Sequence, residues 1–163
     1  MSGNSDSKHI ELLRRCIAIS LAARESGNTP FGALLADTHG SILMEQGNVE
    51  LTERRCTGHA ETTLMERASQ AFSADFLKTC SLYTTVEPCA MCAGAIYWGN
   101  VVTVIYALDE ARLAALTGDD ERNLTLDLPC RDVFARGRKP VVVLGPFPEL
   151  EAEVAAVHQG FWR

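Results

Sequence analysis

Four residues in two short motifs of this 163-residue chain have side chains suited to metal-assisted hydrolysis. A Gly-His-Ala-Glu motif carries His59 and Glu61, and a Pro-Cys-Ala-Met-Cys motif carries Cys89 and Cys92. Zinc takes thiolates and imidazoles in tetrahedral sets, and a catalytic zinc has three protein ligands with the fourth position open. His59, Cys89 and Cys92 therefore predict a catalytic Zn²⁺ site.

Both motifs stand where a helix is predicted to begin. Helix N-termini carry partial positive charge, which favours thiolates and any oxyanion formed nearby. Glu61 follows His59 by two residues, so it can reach a water molecule at the open position without being a ligand. We predict that Glu61 is the general acid and base.

Each motif alone has a simpler explanation. An isolated His-x-Glu is usually a solvated helix start, and an isolated Cys-x-x-Cys can be a redox pair, a structural zinc site or a pair of buried thiols. Together, and in this order, they form the signature of zinc-dependent base deaminases. The combination favours a catalytic site over these alternatives.

The elements that position the motifs are predicted from apolar periodicity and turn signals. Strands are predicted over 31–37, 41–46, 81–86, 101–107 and 140–145. Helices are predicted over 8–26, from an N-cap at Thr57, over 89–99, over 108–116 and from Pro148 to near Gly160. An initial hairpin followed by alternating strands and helices predicts an α/β fold, a three-layer sandwich around a mixed sheet, in one domain over 1–163.

Composition argues against several classes of partner. The formal net charge is −6, and nucleic-acid binding draws its affinity from cationic contacts to phosphates, so a nucleic-acid partner is disfavoured. No apolar run has the length of a membrane span. The six cysteines occur without a secretory signal, which favours reduced thiols and a cytoplasmic protein.

The chain resembles the cytidine/deoxycytidylate deaminase superfamily. The matching segments are Pro-Phe-Gly-Ala-Leu-Leu (30–35), Gly-Asn (47–48), the His59 motif and the segment 82–98 around the cysteines. The resemblance implies a cytidine deaminase-like five-stranded sheet between helices, one zinc per subunit and hydrolytic release of ammonia from an aminated ring. We expect a homodimer. We also expect Glu87, next to Pro88 of the cysteine motif, to support the site.

Within this superfamily, the segments around Phe31 and Trp98 are most similar to bacterial guanine deaminases. We therefore expect a small-molecule nucleobase substrate, guanine or a related aminated heterocycle. Cytosine, a nucleoside and tRNA adenosine stay open as alternatives, and a non-catalytic zinc-stabilised binding module is the alternative outside enzymes.

Five residues are expected to contact the substrate. Phe31 either stacks on the ring or packs in the core, and Asn48 either binds the substrate or forms a turn. The backbone amide of Ala60 is expected to bind a carbonyl group, and Asp119 is expected to accept from a ring N–H. Trp98 lies in the pocket wall, the core or a dimer interface.

Three further features depart from the family pattern. Thr117 and Gly118 replace the Gly-Phe pair that precedes the acidic pair in guanine deaminases. Arg54 and Arg55 either meet an anionic substituent or belong to a solvated loop. The aromatic pair at 161–162 either forms a lid or is merely docked on the surface.

Overall fold

The computed structural model describes residues 2–162. The strands are β1 (Gly32–Ala36), β2 (Ile42–Gly47), β3 (Ser81–Val86), β4 (Thr103–Leu108) and β5 (Val142–Leu144). The α-helices are α1 (Ser2–Glu25), α2 (Ala60–Ala71), α3 (Ala74–Leu77), α4 (Ala90–Trp98), α5 (Glu110–Thr117), α6 (Cys130–Ala135) and α7 (Glu151–His158). Short 3₁₀ turns cover Glu121–Asn123 and Pro148–Leu150.

The strands form one mixed sheet with the order β2-β1-β3-β4-β5. Strand β1 pairs antiparallel with both β2 and β3, whereas β3, β4 and β5 run parallel. Helix connections between parallel strands leave the carboxyl ends of β3 and β4 at one edge, where ligands of open α/β sheets bind. The predicted mixed five-stranded sheet is confirmed.

Helices cover both faces of the sheet. Successive residues of a strand point to opposite faces. In β1, Leu35 packs with α2, α3, α4 and α6, whereas Leu34 packs with α1, α5 and α7. The result is the predicted three-layer α/β/α sandwich, in which α2 and α4 lie side by side on the same face.

Several element boundaries differ from the prediction. The N-cap of α2 is His59 rather than Thr57, so a zinc-ligand candidate takes the capping position. Helix α1 extends back to Ser2, six residues before the predicted start at residue 8. Helices α3 and α6 were not predicted; each is short, and isolated helices of this length are unstable without tertiary packing.

Within residues 2–162, no helix combines the length and the apolar character that crossing a membrane requires.

Candidate active site

The three predicted metal ligands lie at the adjoining N-termini of two packed helices. His59 is the N-cap of α2, Cys89 is the N-cap of α4, and Cys92 lies in the first turn of α4. The His59 side chain makes no capping hydrogen bond to α2, so its imidazole is free to face the Cys89 thiol. Each helix start thus contributes ligands to one cluster.

The donor atoms converge. His59 Nδ1 lies 3.6 Å from Cys89 Sγ and 3.7 Å from Cys92 Sγ, and all three donor atoms lie within 4.8 Å of one another. Separations of this size match the edges of a tetrahedron with metal–ligand bonds of about 2.0–2.3 Å. One imidazole and two thiols in this arrangement fit zinc, and they leave one tetrahedral position open towards the pocket.

The pKa shifts within this cluster favour the binding of a metal cation. The Cys92 thiol donates to Cys89 and, with the neighbouring His59, lowers the pKa of Cys89 to about 4. The hydrogen bond to Cys89 raises the pKa of His59 to about 9 despite burial. A buried thiolate needs a positively charged partner. Without metal the protonated His59 is that partner, and a bound metal ion takes its place and displaces the proton.

Glu61 lies beside the cluster with its carboxylate held in place. The residue is only 6% exposed, and Thr84 of β3 donates a 2.8 Å hydrogen bond to Glu61 Oε1. Glu61 Oε2 is 3.5 Å from Cys92 Sγ. Burial raises the pKa of Glu61, and the nearby Cys89 raises it further. The carboxyl group is therefore poised beside the metal position without occupying a ligand position.

A pocket opens in front of the cluster, at the carboxyl ends of β3 and β4. It contains about 460 Å³ of space. Its wall combines zinc-ligand candidates, carboxylates, apolar groups and one guanidinium: Phe31, Asn48, Glu50, His59, Glu61, Val86, Glu87, Cys89, Glu110, Leu113, Arg122 and Asn123. Of the predicted substrate contacts, Phe31 and Asn48 are thus beside His59 and Glu61.

Asn48 has a turn role as well as a place in the wall. Its Oδ1 accepts a 3.0 Å hydrogen bond from the backbone N–H of Glu50. The structure therefore shows the turn role of Asn48 and places the residue in the pocket wall, whereas its contact to the substrate stays a prediction. An amide N–H₂ supplies donors for a bound ligand.

The loop between Asn48 and His59 is closed at its base. The Val49 N–H donates to the Gly58 carbonyl oxygen at 2.9 Å. A Cβ atom added to Gly58 would lie 2.8 Å from the Glu50 Cα atom, so this close approach requires glycine. The loop base therefore fixes Asn48 and His59 relative to each other.

Two predicted substrate contacts are not brought to the pocket. Trp98 is 80% exposed at the end of α4 and packs edge-on against Tyr97, so its predicted contact is wrong for this chain's own pocket. Asp119 is also exposed and outside the pocket wall. Its neighbour Asp120 turns inward instead and accepts hydrogen bonds from the backbone and side chain of Arg122.

Ala60 is fully buried in the core beneath the pocket, and its side chain is not part of the wall. Its backbone contact to a substrate carbonyl stays a prediction. Arg54 is exposed, whereas Arg55 is half-buried and pairs with Glu53 and Glu66 rather than lining the pocket.

Glu87 ties the site to two helices. Its Oε1 accepts from the Glu110 N–H at 3.1 Å and its Oε2 accepts from the Cys130 N–H at 2.9 Å. These N–H groups lie at the starts of α5 and α6, where backbone donors lack partners within the helix. Glu87 thus anchors both helices to the end of β3, in agreement with its expected supporting role.

Sequence reasoning missed Glu50, Glu110 and Arg122. Glu50 Oε2 lies 3.6 Å from His59 Nε2, and Glu50 Oε1 accepts a hydrogen bond from Thr29. Burial, with the charges of Cys89 and Glu87, raises the pKa of Glu110 to about 8. The sequence carried no motif for these residues, because only the fold brings their three separate segments together.

The chain end packs against the rim of the pocket. Trp162 stacks on His158, and both rings contact Phe31. The Arg122 guanidinium lies 4.5 Å from the ring centre of Phe161 and donates to the Phe161 carbonyl oxygen. The aromatic pair is thus docked on two residues of the pocket wall, and its action as a lid stays a prediction.

Comparison with known proteins agrees with this geometry. The profile described as the cytidine and deoxycytidylate deaminase zinc-binding region matches residues 6–108. A probable cytosine deaminase from Schizosaccharomyces pombe is 35% identical over 155 residues, covering 95% of this chain and 93% of the relative. Guanine deaminase from Bacillus subtilis is 36% identical over 113 residues, covering 69% of this chain and 72% of the relative.

Solved structures share the fold. The X-ray structure of the Bacillus subtilis guanine deaminase superposes with a TM-score of 0.61 over 66% of this chain and 68% of that one. A structure from work on tRNA:A34 deaminases superposes with a TM-score of 0.69 at 23% identity, covering 91% of this chain and 99% of that one. With the profile match, the cluster of His59, Cys89 and Cys92 and the buried Glu61, the chain belongs to the cytidine and deoxycytidylate deaminase family and is a zinc-dependent deaminase.

Proposed function

We propose that this enzyme hydrolyses the amino group of a neutral, free nucleobase and releases ammonia. The observation that carries the proposal is a buried carboxyl group, Glu61, fixed by Thr84 beside one imidazole and two thiols. The two relatives described above are a guanine deaminase and a probable cytosine deaminase, and free bases are the substrates that those names share.

The proposed mechanism assigns a proton path to Glu61. Zinc, when bound by His59, Cys89 and Cys92, supplies a Lewis acid with an open position. Glu61 removes one proton from the attacking water and delivers it to the ring nitrogen, and then carries the remaining hydroxyl proton on the attacked carbon to the departing amine. The carbon–nitrogen bond breaks, an oxo group replaces the amine, and one ammonia leaves per water consumed.

Two further residues would hold the ring in place during this step. Asn48 offers its amide N–H₂ to a ring acceptor, since its oxygen already bonds the Glu50 backbone. Phe31 forms an apolar part of the wall and is itself held by His158 and Trp162. Its fixed ring suits a flat heterocycle.

The charge of the pocket favours an uncharged substrate. Glu50, Glu61, Glu87 and Glu110 line the wall, whereas the guanidinium of Arg122 is bound by Asp120. Phosphate groups are bound by cationic side chains or free backbone N–H groups. A phosphate group would find the one guanidinium of the described wall already bound by Asp120, so an uncharged free base fits better than a nucleotide.

Guanine and cytosine are the first bases to test. The motifs around Phe31 favour guanine, whereas the relative that spans nearly the whole chain is a probable cytosine deaminase. Ammonia release should be assayed with free bases, nucleosides and nucleotides, with the Glu61→Gln variant as the inactive control. We expect the highest kcat/KM for a free base; a preference for a nucleotide would contradict the proposal.

We also propose that the enzyme is a homodimer. The 80% exposure of the Trp98 side chain on the α4 end supports a buried role for it in an assembly. Light scattering after size-exclusion chromatography should give about twice the chain mass, and Trp98→Ala should shift the population towards monomer.

A further inference from the structure

Glu110 occupies a fixed position in the pocket wall. It is the first residue of α5, directly after β4, and it lines the pocket together with Leu113 of the same helix. Its backbone N–H is bound by Glu87, two residues before the zinc-ligand candidate Cys89. The position of Glu110 is therefore tied to the metal site through the end of β3.

One oxygen of Glu110 has no partner. Within residues 2–162, Glu110 Oε2 is shielded from solvent and accepts no hydrogen bond. A buried acceptor without a donor costs free energy, so native structures retain few of them, often at functional sites. Because Glu110 also lines the pocket, a ligand bound there can bring the missing donor.

The other carboxylates of the wall are all engaged. Thr84 donates to Glu61, Thr29 donates to Glu50, and Glu87 accepts from two backbone N–H groups. The Arg122 guanidinium is bound by Asp120 and by the Phe161 carbonyl oxygen. Among the glutamates of the described wall, the vacant buried acceptor is therefore the Oε2 atom of Glu110.

We propose that Glu110 is a substrate-binding residue that accepts a hydrogen bond from an N–H group of the base and selects neutral bases that present this donor. The inference rests on the proposed function and extends it to the residue that binds the substrate's N–H edge. A carboxyl group keeps an accepting oxygen in either protonation state. A substrate with a ring substituent at this edge would leave Oε2 unpaired. A substrate with an anionic group at this edge would be repelled by the carboxyl oxygen.

Binding can be measured without turnover in a Glu61→Gln background. Calorimetry with cytosine, and competition against cytosine for the sparingly soluble guanine, gives the Kd of each base. Adding Glu110→Ala should raise the Kd of the preferred base at least tenfold. Adding Glu110→Gln should raise it less, because the amide oxygen still accepts. Glu121→Ala removes an exposed carboxylate from the turn beside Arg122 and should leave Kd unchanged.

A ligand-free measurement separates binding from folding. Removing an unpaired buried acceptor should leave Tm and zinc content unchanged or raise Tm, whereas loss of a structural residue would lower both. The inference is overturned if Glu110→Ala changes Kd less than twofold, if it lowers Tm by several degrees with loss of zinc, or if no base binds. Base binding that depends on Glu110 without any ammonia release would contradict the proposed function alone.

Discussion

Thr84, in strand β3, donates a hydrogen bond of 2.8 Å to Glu61 Oε1 at the start of helix α2. The sheet thereby sets the orientation of the carboxyl group that the mechanism needs. One oxygen is held by the threonine, while the other lies next to Cys92 at the metal position. Catalytic carboxyl groups act most effectively when neighbouring groups restrict their rotamers in this way.

Replacing Glu61 with glutamine should abolish turnover and leave the zinc site intact. Glutamine keeps the size and the hydrogen bond from Thr84 but cannot transfer a proton. We expect kcat to fall by at least ~10²–10⁴-fold, the usual contribution of a general acid–base group. Metal analysis should still give one zinc per chain. Glu66→Gln, on the exposed side of the same helix, should retain wild-type kcat.

Removing Cys89 should remove the zinc. The expected content is one zinc per chain for the wild type and much less for Cys89→Ala, with loss of activity and a lower Tm, because metal binding is coupled to folding. Cys56→Ala provides the matched control, since Cys56 is an exposed thiol three residues before His59. Stoichiometric zinc and full activity in Cys89→Ala would exclude this residue as a ligand.

The exposed position of Asp119 argues against the substrate contact that the sequence led us to expect. Asp119→Asn should change kcat/KM less than twofold, because the side chain is outside the pocket wall. Asp120→Asn should instead raise KM, since Asp120 holds Arg122 and, through it, the Phe161 carbonyl oxygen. Steady-state kinetics on the best base compares the two variants, and a larger loss in Asp119→Asn would show that the loop rearranges around substrate.

His158 should make stability fall in mild acid. Burial, aided by the charge of Arg24, lowers the pKa of His158 from 6.5 to about 4. Between these values the unfolded chain binds more protons, so stability is complete above pH 6.5 and decreases as the pH falls towards 4. At 1.36 kcal/mol per pKa unit, the loss approaches ~3 kcal/mol.

Urea unfolding at pH 7.5 and pH 4.5 measures this loss. A Trp98→Phe background leaves Trp162, which stacks on His158, as the fluorescent reporter. His158→Gln keeps an acceptor for Trp162 but does not titrate, so its free energy of unfolding should fall by ~2.5 kcal/mol less between the two pH values. Equal losses in both proteins would contradict the pKa assigned to His158.

The sheet and the metal cluster were predictable because their signals are local. The run Ser81–Val86 is rich in β-branched and aromatic residues, and the structure forms a strand with the same bounds. The cysteine motif directly follows this strand, and both motifs begin helices, so the donor types and their spacing were enough to indicate that His59, Cys89 and Cys92 would meet. Their convergence required only that α2 and α4 pack on one face.

The pocket wall was less predictable because tertiary contacts decide which side chains face it. Asp119 and Asp120 are adjacent and chemically identical, and only the bonds between Asp120 and Arg122 determine which one turns inward. Helix α6 forms around the buried Phe134, and its first N–H group, that of Cys130, donates to Glu87, 43 residues earlier. Hydrophobic periodicity within a short window does not indicate which residues, distant in sequence, form these hydrogen bonds.

The hydrogen bond between Val49 and Gly58 separates the exposed tip of this loop from the reaction centre. Asn48 and His59 lie just outside this closure, and the exposed residues Arg54 and Cys56 lie within it. Selection can therefore vary the exposed tip while the reaction centre is inherited unchanged. Engineers can use the same division: a label attached to the Cys56 thiol should not disturb hydrolysis.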